Sequence, residues 1–188
     1  MTFTFEFSEQ DWRRVKDTWA QWWNGNLDRP LVTIESNNSD MGQTFTHIER
    51  HLTKYGLNTP IDEMLDEIEK SLIYMRWLGD AFPRWWPNFG AGVLAAFLGS
   101  PVEEVIDTTW FHPVIDFDLS NEKLPLDENS SWYQRVIETT SQAVKRWGNQ
   151  VCIGIPDLGG NLDILASIRS SQSLLIDLYD HPDWVENL

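Results

Sequence analysis

Two carboxylates in this chain each close a short apolar run. Glu35 ends "LVTIE" and Asp157 follows "VCIGIP". Acids at the trailing ends of two strands could share one rim and act as acid and base, because opposed environments split their pKa values. The same pair could cleave a glycosidic bond, with the stereochemistry set by their separation. Either residue could instead cap the turn that follows it. His112, in "WFHPV", is the histidine best placed to be a general base or a metal ligand, with a structural imidazole as the alternative. The candidate catalytic set is therefore Asp157, His112 and Glu35. Phe82, Trp85 and Trp86 flank a further strand end, where a flat aromatic face would suit a sugar ring or a heteroaromatic ligand, or would simply pack beneath a loop. Arg84 lies among them and pairs either with a ligand carboxylate or with a neighbouring acid. Trp85, Trp86, Asn88 and Arg84 form the candidate substrate-binding set.

Other groupings are weaker. His47 and His51, in "HIERH", are four apart, but the zincin pattern needs Glu directly after the first His and Ile48 stands there. Asp116 and Asp118 alternate and share a face if extended, which suits a cation or plain solvent exposure. Gly159-Gly160-Asn161 at a helix start could offer backbone N–H groups to an anion, yet lacks the spacing of a dinucleotide fingerprint or a P-loop. Cys152 lies within the strand, has no partner cysteine and reads as core packing. No metal ligands are assigned, and the cofactor is left unknown.

The elements that must position these groups follow from caps and periodicity. Ser8 with Asp11 three residues on predicts a capped helix over 9–23, with Trp12, Val15, Trp19 and Trp22 or Trp23 on one stripe. A strand over 31–35 follows Arg29-Pro30. Residues 36–42 read as a loop and 44–55 as a short helix. Thr59-Pro60 opens a longer helix, whose spacing of Ile61, Met64, Leu65, Ile68, Leu72 and Met75 carries it to Gly79. A strand over 81–86, a loop entering a small-residue helix over 88–98 and a β-rich aromatic stretch over 107–118 come next. A polar linker spans 121–129. A helix then runs from Ser130 or Ser131 to Trp147, followed by the strand, acid, glycines and helix of 151–169 and two short helices. The alternation predicts an α/β fold with parallel strands and an N-terminal helix.

The 188 residues suffice for a single domain. No apolar run reaches the ~18 residues of a membrane span, and the N-terminus does not read as a signal peptide. One cysteine fits a reducing cytoplasm. A formal charge of −15 argues against nucleic acid and anionic membrane surfaces as partners and otherwise reads as solubility, and the expected partner is a small-molecule ligand.

The stretch "GIPDLGGNLDILASIRSSQSLLIDLYDHPDWVENL" resembles the middle of proteins in the uroporphyrinogen decarboxylase superfamily. "NFGAGVLAAFLG" with "DTTWFHPVI" is similar to the segment after that family's second strand, and "RPLVTIES" sits where its first strand begins. The resemblance implies a (β/α)₈ TIM barrel with its pocket at the C-terminal strand ends, hence Asp157, Glu35 and the region of Asn88 at the mouth. A complete barrel takes about 250 residues. The expectation is therefore the N-terminal portion of a barrel, either of a longer protein or of a half-barrel that covers its edges by homodimerising. The family's decarboxylases hold their substrate with arginines in a "MRQAGR"-like motif and an aspartate in a "SDIL"-like one. Here these places read "IESNNSD" and Asn88-Phe89-Gly90-Ala91, so decarboxylation is not carried over. The resemblance leaves methyl transfer or another lyase-type step. The methyltransferase branch binds zinc through His and Cys in the second half of the barrel. The alternatives are a carbohydrate-active enzyme with a Trp-lined carboxylate pocket, or a non-catalytic half-barrel working in binding or assembly.

Overall fold

A computed structural model describes residues 6–37, 51–105, 108–114, 124 and 126–187. The expected helix over 44–55 falls largely outside these, as do His47, Asp116 and Asp118. The elements, in order, are α1 (Glu9–Trp23), β1 (Thr33–Asn37), a 3₁₀ turn (Leu52–Tyr55), α2 (Ile61–Ile73), β2 (Met75–Gly79), β3 (Arg84–Trp85), α3 (Val93–Phe97), β4 (Val102–Val105), β5 (Thr108–Phe111), α4 (Ser131–Trp147), β6 (Cys152–Ile153), α5 (Asn161–Arg169), α6 (Ser171–Asp180) and α7 (Pro182–Glu186). The fold is mixed α/β, rich in helix, with three two-stranded sheets among the described residues. β3 and β6 pair in parallel, Arg84 with Cys152 and Trp85 with Ile153. β1 with β2, and β4 with β5, pair antiparallel, so the expectation of parallel strands holds for only one of the three sheets. The helix α2 ends at Ile73, short of Met75, and Met75–Gly79 pairs antiparallel with the distant Thr33–Asn37, although only Trp77 of that run favours strand by type.

The chain divides into two compact units, one from the described residues of 1–49, 60–86 and 141–154, the other from those of 50–59, 87–140 and 155–188. In the first unit, Ser8 and Asp11 form the expected reciprocal capping box. α1 is secured by Trp19 Nε1 donating to the Asp80 carbonyl at 2.8 Å and by Trp12 and Trp19 packing on Phe82 at 5.8 and 5.6 Å. Val15 is buried, whereas Trp22 and Trp23 are exposed, so the aromatic stripe is narrower than its spacing predicts. α2 buries Met64, Leu65, Ile68 and Leu72. The end of α4 buries Ala143 and Trp147, and Trp147 meets Trp85 edge to face at 5.1 Å. Such a pair adds about 0.5–1.5 kcal/mol beyond the area it buries. Arg146 bridges Glu69 at 2.5 Å and Asp66, holding α4 to α2.

In the second unit two apolar clusters carry the packing. Ala95 of α3 meets Ile164 and Ile168 of α5, and Leu165 meets Leu174 and Val185 of α6 and α7. The start of α4 stacks Tyr133 edge to face on Phe97 at 5.4 Å. Arg169 clasps the buried Asp177 through Nε at 2.6 Å and Nη2 at 3.2 Å, fixing the α5–α6 corner.

Candidate functional site

Three segments of the second unit converge on one polar centre. The 3₁₀ turn follows His51, β5 supplies Thr109, and residues 88–92 leave the end of β3. The Leu52 N–H donates to the Asn88 carbonyl at 2.6 Å, tying the first segment to the third. Asn88 is buried, and its Oδ1 accepts the Gly90 N–H at 3.0 Å, shaping the loop. A Cβ on Gly92 would lie 2.4 Å from the Phe111 ring, so only glycine lets the loop approach β5. The loop after β6 joins the same region. Asp157 Oδ1 accepts the Gly159 N–H at 2.8 Å, and a Cβ on Gly159 would stand 2.5 Å from the Ala91 carbonyl. Gly159 also has φ +73°, which L side chains rarely adopt.

At this centre His51 Nδ1 lies 2.8 Å from Thr109 Oγ1, and Thr109 Oγ1 lies 2.5 Å from the buried Thr53 Oγ1. Burial pushes the His51 pKa below its ordinary 6.5, so the imidazole is neutral at pH 7. A neutral, partly buried imidazole held by a hydroxyl chain can take a proton from a substrate and return it. From sequence alone His51 reads only as a zinc ligand paired with His47. Its link to Thr109 spans 58 residues, which helical spacing cannot reveal.

The residues singled out from sequence fall as follows. Asn88 and Asp157 lie in the converging loops of the second unit, each shaping its own turn. His112 belongs to the same unit, where it is exposed and its Nε2 lies 2.6 Å from Glu103 Oε2 on β4. Glu35, Arg84, Trp85 and Trp86 lie in the first unit. The Arg84 Nε donates to Glu35 Oε1 at 2.6 Å, which settles Arg84 on a neighbouring acid. Trp85, the last residue of β3, is 1% exposed, while Trp86 just beyond it is 36% exposed. The buried Trp85 stacks on Trp147 instead of forming an open platform, and its Nε1 meets no hydrogen-bond partner among the described residues. Cys152 lies on β6 but is exposed, correcting its assignment to the core. It lines an open groove of 480 Å³ with Trp12, Lys16 and Asn149, and that groove includes none of Glu35, Arg84, Trp85 or Trp86.

Among the described residues no three His, Cys, Asp or Glu side chains cluster as a metal site, and no helix is long and apolar enough to cross a membrane. Comparison with protein-family models, curated proteins and solved structures finds no match to this chain.

Proposed function

We propose that the chain is a cytoplasmic small-molecule enzyme of the uroporphyrinogen decarboxylase type, without the decarboxylase arginine and aspartate motifs, acting by a lyase-type step or methyl transfer. The observation that carries this reading is the convergence of the loops after β3 and β6 with the His51–Thr109–Thr53 chain. Loops at the C-terminal ends of parallel strands are where barrel enzymes place their sites. In this reading the parallel β3–β6 pair is part of a partial (β/α)₈ arrangement, from which the two antiparallel pairs depart. His51 is the proton-transfer group, with Thr109 fixing its ring. Asn88 and Asp157 shape the two loops that enclose the ligand.

A small-metabolite panel read by thermal unfolding tests this. A ligand at about 100 times its Kd stabilises by about 2.7 kcal/mol, or roughly 5–10 °C for a chain of this size. His51→Gln should fold normally and lose that shift, and Asp157→Asn should reduce it. A His51→Gln protein that responds like the native chain removes the proposal.

A second reading, an assembly built from two copies, draws on α6. Leu175, Ile176, Leu178 and Tyr179 are exposed there, as is Leu162 of α5. Light scattering should then give a stable dimer that Leu175→Glu with Tyr179→Glu dissociates. A native monomer contradicts it.

A further inference from the structure

α4 carries Arg135 and Thr139 one helical turn apart, on the buried stripe that also holds Val136. Such stripe positions are normally apolar, yet Arg135 is only 7% exposed and Thr139 is fully buried. Arg135 Nε and Nη2, together with Thr139 Oγ1, are shut off from solvent and meet no hydrogen-bond partner among the described residues. Nε–H and Nη2–H project from the same edge of the guanidinium, forming a fork that receives two oxygens. Two other arginines of this chain have that fork closed. Arg169 uses it on Asp177, and Arg146 uses it on Glu69 and Asp66. The exposed Glu138 acts on Arg135 only through space. Arginine stays protonated when buried, so an unmet fork inside the second unit is costly unless an anion meets it.

We infer that the Nε/Nη2 fork of Arg135, with the Thr139 hydroxyl, is a binding site for the carboxylate of a small organic acid. One buried positive charge is balanced by one negative charge. Phosphate would bring up to two charges and further oxygens to a site offering one fork and one hydroxyl, inside a chain that is already at −15. An apolar body on the acid suits the neighbouring Val136. This inference is independent of the loop site and stands without it.

The test titrates the native chain with acetate, butyrate and benzoate at constant ionic strength, and with inorganic phosphate in parallel. Calorimetry reads affinity, and NMR follows the Arg135 Nε–H resonance. At least one carboxylate should bind saturably and shift that resonance. Arg135→Met should weaken binding by about 30-fold or more. Thr139→Val should weaken it about 3- to 10-fold. Because the Nε–H signal is read on the native chain, the result holds even if Arg135→Met fails to fold. An Nε–H resonance unmoved by every carboxylate, saturable phosphate binding with silent carboxylates, or undiminished binding by folded Arg135→Met overturns the inference.

Discussion

Replacing Asp80 with Asn should expose how the first unit is held together. Asp80 is 2% exposed and receives three donors: Arg29 Nη1 at 2.6 Å, Arg29 Nη2 at 2.9 Å and the Val32 N–H at 2.9 Å. The Arg29 guanidinium foremost, then the Val32 amide, hold the Asp80 pKa at about 2 against an ordinary 3.8. That gap corresponds to roughly 2 kcal/mol of stabilisation at neutral pH. The Arg29 side chain is 47% exposed, so solvent screening trims the expected loss in Asp80→Asn to about 1–2 kcal/mol. The sign follows from linkage. The folded-state pKa lies below the unfolded one, so the stabilisation is complete well above 3.8 and is lost as pH falls through about 2. Roughly half should remain at pH 3. Urea unfolding of both proteins between pH 7 and pH 3, followed by tryptophan fluorescence, reads the difference. An Asp80→Asn protein as stable as the native chain at pH 7, or a gap that does not narrow towards pH 3, refutes the reasoning.

Three further outcomes follow from the same geometry. Gly159→Ala places a Cβ against the Ala91 carbonyl at a positive φ and should cost at least about 1–2 kcal/mol in urea unfolding, whereas a neutral effect would contradict the loop contact. The His51 pKa is lowered by burial, so its contribution is complete above the unfolded value of 6.5 and is lost as pH falls through the lower folded value; His51→Gln should flatten the stability–pH curve on that acid side, and an unchanged slope would count against the burial. Ser8→Ala removes the acceptor for the Asp11 N–H and should cost about 1 kcal/mol by chemical denaturation, with no change in any ligand response.

The helices were the legible part of the fold, because their signals are local. Ser8 and Asp11 mark the start of α1, Pro60 precedes α2, and Gly148 stops α4 with φ +45°. Strand pairing was not legible in the same way. Met75 fits helical spacing behind Leu72, yet Met75–Gly79 gains more by pairing with Thr33–Asn37 about 40 residues away than by extending α2. β4 carries no strand signal of its own, because Glu103 and Glu104 interrupt its valines, and its partner Thr108–Phe111 supplies the order. At the site, Asn88 and Asp157 could be placed on loops after strands from their neighbours in sequence. The meeting of His51, Thr53 and Thr109 depends on tertiary approach, as does the pairing of Arg84 with Glu35. Arg135 left a trace that a stricter reading would catch, a charge in line with Thr139 and Ala143 on the face that α4 buries.

The most direct measurement for the proposed site is an amide NMR titration of the native chain with a compound that raises its melting temperature. The amides of Gly90 and Gly159 should shift together, saturably and at one Kd, with the His51 ring signals following them. Shifts confined to the groove residues Trp12, Asn149 and Cys152, with Gly90 and Gly159 silent, would rule out the loop site.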